Sequence, residues 1–335
     1  MKAAITSDGC EQLAKYHLAP ALGLPFYNFL EWDQLWGNPL EPDIGEHPEC
    51  VVMKGFFGND YSGQARIKKV LGDMGKEYQP KCSNADKVAV LWAGSDVTAM
   101  FGFRQRGFRY EPKIFSDLRS DRFVHIPVNI KQKYELDKLL GIEATDPLPT
   151  PSRKLFDVMP MPGRFTVAVY LPTYRADFFR YKLMLEVAEK MPEARFIFFH
   201  WMFPVGDSDV QLSELPNVEY RYHCSREEYE DIVKQSACLL RAPQHEGLSG
   251  TAADFLLAGR PVVSCWDMPE WPAMLGNELI DNGKHDAEYI VKLLNKMKME
   301  VPEETRQWYL DNLAPAKYKE RFNERIHTKW PEFSV

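Results

Sequence analysis

Cys238-Leu239-Leu240 runs directly into Arg241-Ala242-Pro243-Gln244-His245-Glu246-Gly247-Leu248-Ser249-Gly250-Thr251-Ala252-Ala253-Asp254, and this stretch decides the fold. The first three residues form a short apolar strand. A loop with proline and two glycines follows, and Gly247 to Leu257 reads as a helix. Arg260-Pro261-Val262-Val263-Ser264 is the strand after it. Strand, helix, strand within so few residues is the repeating unit of a parallel sheet with helical cover.

The same alternation extends upstream. Thr166-Val167-Ala168-Val169-Tyr170, Arg195-Phe196-Ile197-Phe198-Phe199 and Asn217-Val218-Glu219-Tyr220-Arg221-Tyr222 are strands. Phe179, Leu183, Val187 and Met191, four apart, make one apolar helix stripe. Ser225 precedes Glu228 by three, a capping box that opens a helix to about Ser236. A similar set occupies the first half of the chain. Lys2–Thr6, stopped by Ser7-Asp8-Gly9, is its first strand; Cys50–Met53, Val88–Trp92, Lys113–Phe115 and Phe123–Pro127 follow. Strands that are apolar throughout need cover on both faces, which predicts parallel, doubly wound sheets.

Between the two sets lie Asp146-Pro147-Leu148-Pro149-Thr150-Pro151-Ser152 and Met159-Pro160-Met161-Pro162-Gly163. Proline removes donors and disfavours helix before it, so 151–163 reads as a linker between domains 1–150 and 164–300. Residues 301–335 read as amphipathic helix, with Trp308, Leu310, Leu313 and Phe322 as packing residues.

The length of 335 residues suits two domains of about 100–200 residues each. The composition is that of an ordinary globular protein, 45% hydrophobic and 27% charged, which excludes disordered and collagen-like chains. The net charge of −7 and pI near 5.7 exclude a whole-protein positive field drawing it to nucleic acid or anionic membrane. Cys10, Cys50, Cys82, Cys224, Cys238 and Cys265 form no C-x-x-C and read as free thiols of a reducing compartment. No metal-ligand cluster is evident. The N-terminal apolar run is too short for a signal-peptide core and no stretch reaches 18 apolar residues, so the expectation is a soluble cytoplasmic protein without a membrane span.

Ligands of doubly wound sheets collect outside the carboxyl ends of the strands. The helix start after Glu246 offers unpaired amides and the positive end of a helix dipole, which suit a phosphate. Asp254, about one turn inside, is placed to accept hydrogen bonds from sugar hydroxyls. On spacing alone, a glycine-rich helix start with Asp254 on a solvated face stands level with this reading.

Glu246-x7-Asp254 followed by Ala258-Gly259-Arg260-Pro261-Val262-Val263 resembles the E-x7-E signature of GT-B glycosyltransferases of the retaining, glycogen-synthase-like type. The departure is Asp254 for the usual glutamate, one methylene shorter. Leu215-Pro216-Asn217-Val218, Ser225-Arg226-Glu227-Glu228 and Ser236-Ala237-Cys238 resemble further motifs of that family in the same order. The resemblance covers roughly residues 160–290; before that, Trp92-Ala93-Gly94-Ser95-Asp96 and His125-Ile126-Pro127-Val128-Asn129 are weaker matches.

The resemblance implies a GT-B architecture: two doubly wound Rossmann-like α/β domains with a cleft between them and C-terminal helices crossing back to the first domain. It implies transfer of a sugar from a UDP- or GDP-sugar to a hydroxyl acceptor, with retention and no tightly bound cofactor or metal. By position, Glu246 would contact the donor sugar, the backbone of Leu248, Ser249 and Gly250 the diphosphate, and Asp254 the ribose. Arg175 and Arg180 match the spacing of the family's cation pair, with Lys182 nearby. Independently, a departing nucleoside diphosphate gains negative charge, and fixed cations stabilise that transition state more than the ground state. The competing reading makes these three a solvated helix face.

His223 is a candidate wall for the nucleobase and His245 a candidate neighbour of the donor site, each against ordinary packing. On the acceptor side the candidates are Asp8, Gly9 and Asp96, with His125 as a further sugar contact; for Asp8, Asp96 and His125 a structural role is the favoured reading. Phe101 to Tyr110 alternates rings with Arg104, Arg106 and Arg109. Rings and cations together hold flipped or single-stranded bases, or else the arginines lie over packed phenylalanines. The acceptor is therefore read as a soluble saccharide, with a hydroxymethylated DNA base as the alternative. A nucleotide-sugar epimerase, a phosphorylase and a non-catalytic nucleotide-binding module are the competing classes.

Overall fold

The structure is a computed structural model of the chain, and it describes residues 3–7, 13–26, 49–54, 86–92, 97, 118–152, 155–171, 177–200, 213–222, 224–243, 249–264 and 286–335. Two compact units are present: Met1–Arg153 with Asn312–Val335, and Lys154–Asp311.

The first unit holds β1 (Ala3–Ser7), a π-helical turn (Ala14–Leu18) that runs into α1 (Ala19–Leu22), β2 (Cys50–Lys54), β3 (Lys87–Leu91), β4 (Phe123–Ile126) and α2 (Ile130–Glu135). The strands are parallel, in the order β1-β2-β3-β4. Register aligns Ile5, Val52, Ala89 and Val124 in one row and Ala4, Val51, Val88 and Phe123 in the next. Both rows are buried, so both faces of the sheet are covered, as strands without polar alternation require. The expected strand at Lys113–Phe115 lies outside the described residues.

The second unit holds β5 (Thr166–Tyr170), α3 (Tyr181–Glu189), β6 (Arg195–His200), β7 (Val218–Tyr222), α4 (Arg226–Gln235), β8 (Cys238–Arg241), α5 (Gly250–Leu257), β9 (Val262–Ser264), α6 (Ala287–Lys296) and all but the last two residues of α7 (Glu303–Leu313). Its parallel sheet has the order β7-β6-β5-β8-β9. The chain moves outward from β5 to β7, then reverses to β8 on the other side, so the switch point lies between β5 and β8.

Local chemistry fixes these elements. Ser225 Oγ accepts from the Glu228 amide at 3.2 Å while Glu228 Oε2 accepts from the Ser225 amide at 2.7 Å, the capping box of α4. Asn217, in Leu215-Pro216-Asn217-Val218, is buried and donates Nδ2 to the carbonyls of Ala188, Met191 and Ala194. It thereby satisfies orphan acceptors at and beyond the end of α3. The apolar face of α3 is phased differently from the expected stripe. Phe179 precedes the helix and Leu183 is half-buried; Tyr181, Met184, Val187 and Ala188 are the buried positions, as 3.6 residues per turn requires.

The proline-rich segment is held along the second unit. The guanidinium of Arg260, fully buried, donates to the carbonyls of Met159 at 2.9 Å and Pro160 at 2.6 Å. Arg306 donates to Leu257 O at 2.8 Å and Phe156 O at 3.3 Å. Gly259 has φ +76°, and a Cβ there would also press on Val158 at 3.3 Å, so glycine is required beneath this segment.

The final helix, α8 (Pro315–His327), belongs to the first unit and packs with α1. Tyr318, Phe322 and Ile326 are fully buried against Ile5, Leu18, Leu22 and Val52, each contributing roughly 1.5–3 kcal/mol. In α7 the core positions are Thr305, Tyr309 and Leu313, spaced by four; Trp308 and Leu310, named from the sequence, are only half-buried.

Candidate active site

The switch point of the second sheet is where a ligand of a doubly wound unit is received. Strand β5 ends there in Tyr170 and β8 in Arg241, next to each other in the sheet, since Val169 pairs with Leu240. Arg241 is 6% exposed. Its guanidinium lies 4.3 Å from the Tyr170 ring centroid and 5.5 Å from that of Phe179. A cation over aromatic faces at this depth is held by the ring quadrupoles. Tyr170 is itself surrounded by Phe179, Phe199 and His200, with ring centroids 5.3–5.7 Å away. Sequence reasoning assigned Arg241 no role. The available signal was a charged residue closing an otherwise apolar strand.

Arg180 caps the start of α3 with φ +55° and ψ 46°. It is the one non-glycine residue with positive φ among those described. That conformation costs of order 1 kcal/mol and tends to accompany functional sites. Lys182, on α3, is exposed.

Helix α5 begins at the opposite side of the switch point. Ser249 is its N-cap, buried, with Oγ accepting from the Ala252 amide at 3.3 Å. Gly250 follows, exposed, and among the described residues a Cβ there would meet nothing within 4 Å.

Asp254, 9% exposed, lies one turn into α5. Its Oδ2 accepts from the Tyr229 hydroxyl at 3.0 Å and is 4.0 Å from Arg226 Nη1. Burial, followed by the charge and hydrogen bond of Asp254, raises the Tyr229 phenol well above its ordinary range; Arg226 and Arg241 oppose that rise. Two arginines, the Asp254 carboxylate and a neutral phenol thus share one neighbourhood beside an aromatic floor, with Arg226 also paired to Glu230 Oε1 at 3.0 Å. Such a set can hold an anion and a hydroxyl-bearing ring together.

Of the residues expected to form the site, Arg180, Lys182, Ser249, Gly250 and Asp254 are described. Glu246, Arg175, Leu248, His223 and His245 lie outside the described residues, as do Asp8, Gly9, Asp96, Arg104, Arg106 and Arg109. In the first unit His125 is 2% exposed and turned inward. Its Nδ1 accepts from Trp92 Nε1 at 3.3 Å and its Nε2 donates to Leu118 O at 2.7 Å. Those bonds make it a structural residue and remove it from the sugar contacts. Among the described residues no three His, Cys, Asp or Glu converge to hold a metal ion, and no helix is long and apolar enough to cross a membrane. Cys50, Cys224 and Cys238 are free and buried, and burial pushes the Cys50 thiol up to about 12.

No protein-family model matches the chain, and no curated protein matches it. Solved structures do. Sucrose-phosphate synthase from Thermosynechococcus elongatus superposes with a TM-score of 0.66 at 8% identity, over 99% of this chain and 100% of that one. A variant of TarM from S. aureus, in complex with Fondaparinux, alpha-GlcNAc-glycerol and UDP, gives 0.53 at 15% identity over 82% of this chain. The pneumococcal O-GlcNAc transferase GtfA, in complex with UDP and GlcNAc, gives 0.53 at 13% identity over 84% of this chain. The match spans only 55% of TarM and 57% of GtfA, a little over half of each. With its two units each built on a parallel sheet with helical cover, the chain has the GT-B fold of these glycosyltransferase structures.

Proposed function

We propose that this protein is a glycosyltransferase that moves a sugar from a nucleoside-diphosphate sugar to a hydroxyl of a saccharide acceptor, with retention at the anomeric carbon. The observation that carries the reading is the set at the switch point: a buried guanidinium at the end of β8, a helix that starts at Ser249 and the exposed Gly250, and a carboxylate one turn further on. In this reading Arg241 and Arg180, with Arg175, face the diphosphate. The amides of Leu248, Ser249 and Gly250 complete its cradle, Asp254 takes the ribose, and Glu246 contacts the transferred sugar. As the glycosidic bond breaks, charge builds on the leaving diphosphate, and cations already fixed there stabilise it without reorganising. Retention and the saccharide acceptor rest on the motif resemblance. The net charge of −7 weighs against a DNA acceptor.

Thermal shift with UDP, GDP and their sugars tests the donor. A ligand at about 100 times its Kd adds about 2.7 kcal/mol, which for a unit of this size raises Tm by roughly 5–10 °C. No shift with any nucleoside diphosphate would remove the reading. With a donor in hand, the anomeric coupling constant of the product, read by NMR, decides retention. Release of free sugar without an acceptor would instead favour an epimerase.

A further inference from the structure

The Asp254 carboxylate is held by a residue from another helix. Tyr229, on α4, directs its hydroxyl at Oδ2 from 3.0 Å. The ring is 1% exposed and confined on several sides. Phe199 lies at 5.8 Å between centroids, Phe156 meets it edge-on at 6.4 Å, and the Arg226 guanidinium sits 5.4 Å over it. Arg226 also covers Phe156 at 5.3 Å and places Nη1 4.0 Å from the same carboxylate oxygen. A phenol on an immobilised ring donates close to the ring plane, and Tyr229 does so to Asp254 Oδ2. An aspartate has one dihedral fewer than a glutamate, so a fixed donor restricts its orientation more. A carboxylate offers about four acceptor sites, more than the Tyr229 bond uses.

We propose that Tyr229 is a positioning residue: its hydroxyl pins Asp254 in the orientation that accepts hydrogen bonds from a ribose, and thereby sets a preference for ribo- over 2′-deoxyribonucleoside diphosphates. This inference rests on the donor reading above. Because burial and the neighbouring carboxylate keep the phenol protonated, the donor is present throughout the working pH range. The pair spans α4 and α5, so the orientation of the ribose contact is written into the packing of two helices rather than into the loop before α5.

The test uses the full chain, with UDP and 2′-deoxy-UDP as probes (GDP and 2′-deoxy-GDP if the wild type takes guanine), and affinities from calorimetry. Three proteins are compared: wild type, Tyr229→Phe and Asp254→Asn. Both ligands are measured on the same protein, so a general loss of folded protein cancels in their ratio. The wild type is expected to prefer the ribonucleotide by about tenfold or more, and Asp254→Asn to abolish that preference. Tyr229→Phe is expected to lower UDP affinity by roughly 3- to 10-fold and leave 2′-deoxy-UDP nearly unchanged, compressing the ratio. If Asp254→Asn abolishes the preference and Tyr229→Phe keeps it, the positioning role is overturned while the donor reading stands. If the wild type has no ribose preference, or Asp254→Asn retains it, the ribose role of Asp254 falls and this inference with it. A wild type that binds no nucleoside diphosphate overturns both. A Tyr229→Phe that weakens both ligands equally makes the contact merely structural.

Discussion

Acidification from pH 7 to pH 5 is expected to weaken the first unit through His125. The indole of Trp92 can only donate, so the His125 nitrogen it meets, Nδ1, must accept, and the proton resides on Nε2, facing Leu118 O. A second proton would break the Trp92 bond and create a charge with no water around it. Burial is accordingly the main cause that lowers the pKa; Lys329 adds to it, the Leu118 bond opposes it, and the net value is about 4. The unfolded chain binds this proton near 6.5. Between those values the unfolded state carries more protons than the folded one, so stability rises with pH across the window. It is full above about pH 6.5 and falls on acidification towards pH 4. The whole step is about 3.4 kcal/mol, of which about 1.8 kcal/mol is lost between pH 7 and pH 5. The control is His125→Gln, whose amide accepts from Trp92 and donates to Leu118 without titrating. Hydrogen exchange, corrected for intrinsic rates, is followed in peptides covering Lys87–Leu91 and Phe123–Ile126. The wild type should lose about 1.8 kcal/mol of protection relative to the variant over this pH range. An unchanged difference would mean that His125 reaches water or a counter-charge, and that its place in the core is wrong.

Three further outcomes follow from the second unit. Arg260→Met leaves the carbonyls of Met159 and Pro160 without their donor and should destabilise the unit by roughly 2–4 kcal/mol in urea unfolding; a smaller loss than about 1 kcal/mol would deny the clamp. Arg241→Met should weaken UDP binding by about 10- to 100-fold and UMP binding less, while Arg241→Lys recovers part of the loss; equal effects on UDP and UMP would move the arginine away from the diphosphate. Glu246→Ala should abolish transfer with a modest loss of stability, and near wild-type turnover would remove it from the site.

Elements bounded by local signals are legible in the sequence. The capping box at Ser225 and Glu228, the apolar runs of β2, β3, β5 and β8, and the glycine of Ala258-Gly259-Arg260 all follow from near neighbours. Phasing was harder. Trp308 looked like a core residue because tryptophan is large and apolar, yet the row of Thr305, Tyr309 and Leu313 faces inward. Contacts between distant residues were not legible at all. Tyr229 and Asp254 are 25 residues apart, and Arg260 and Pro160 are 100 apart. Periodicity carries no information on which side chain of one helix meets which of another. Asp254 was found from its spacing to Glu246, whereas the tyrosine that orients it was invisible until α4 and α5 were packed.

Several arginines of the second unit differ in what holds them. Arg195 and Arg221 bind Glu219 and Arg221 also binds Asp231; Arg260 and Arg306 bind backbone carbonyls. Burial raises the Glu219 carboxyl, but the bonds from Arg195 and Arg221 outweigh it and the net pKa is lowered, so that cluster is electrically self-contained. Arg226 and Arg241 lie with their guanidinium groups over aromatic rings, and Arg226 also donates Nε to Glu230 Oε1 at 3.0 Å. Stacking uses the face of the planar group and leaves its N–H bonds in the plane for other partners. Placing the Arg241 charge at this depth costs the fold free energy. In the proposed donor reading, an arriving anion offsets part of that cost. In a chain of net charge −7 the attraction for a diphosphate, in the proposed reading, is local to the ends of β5 and β8 and the start of α5 rather than global.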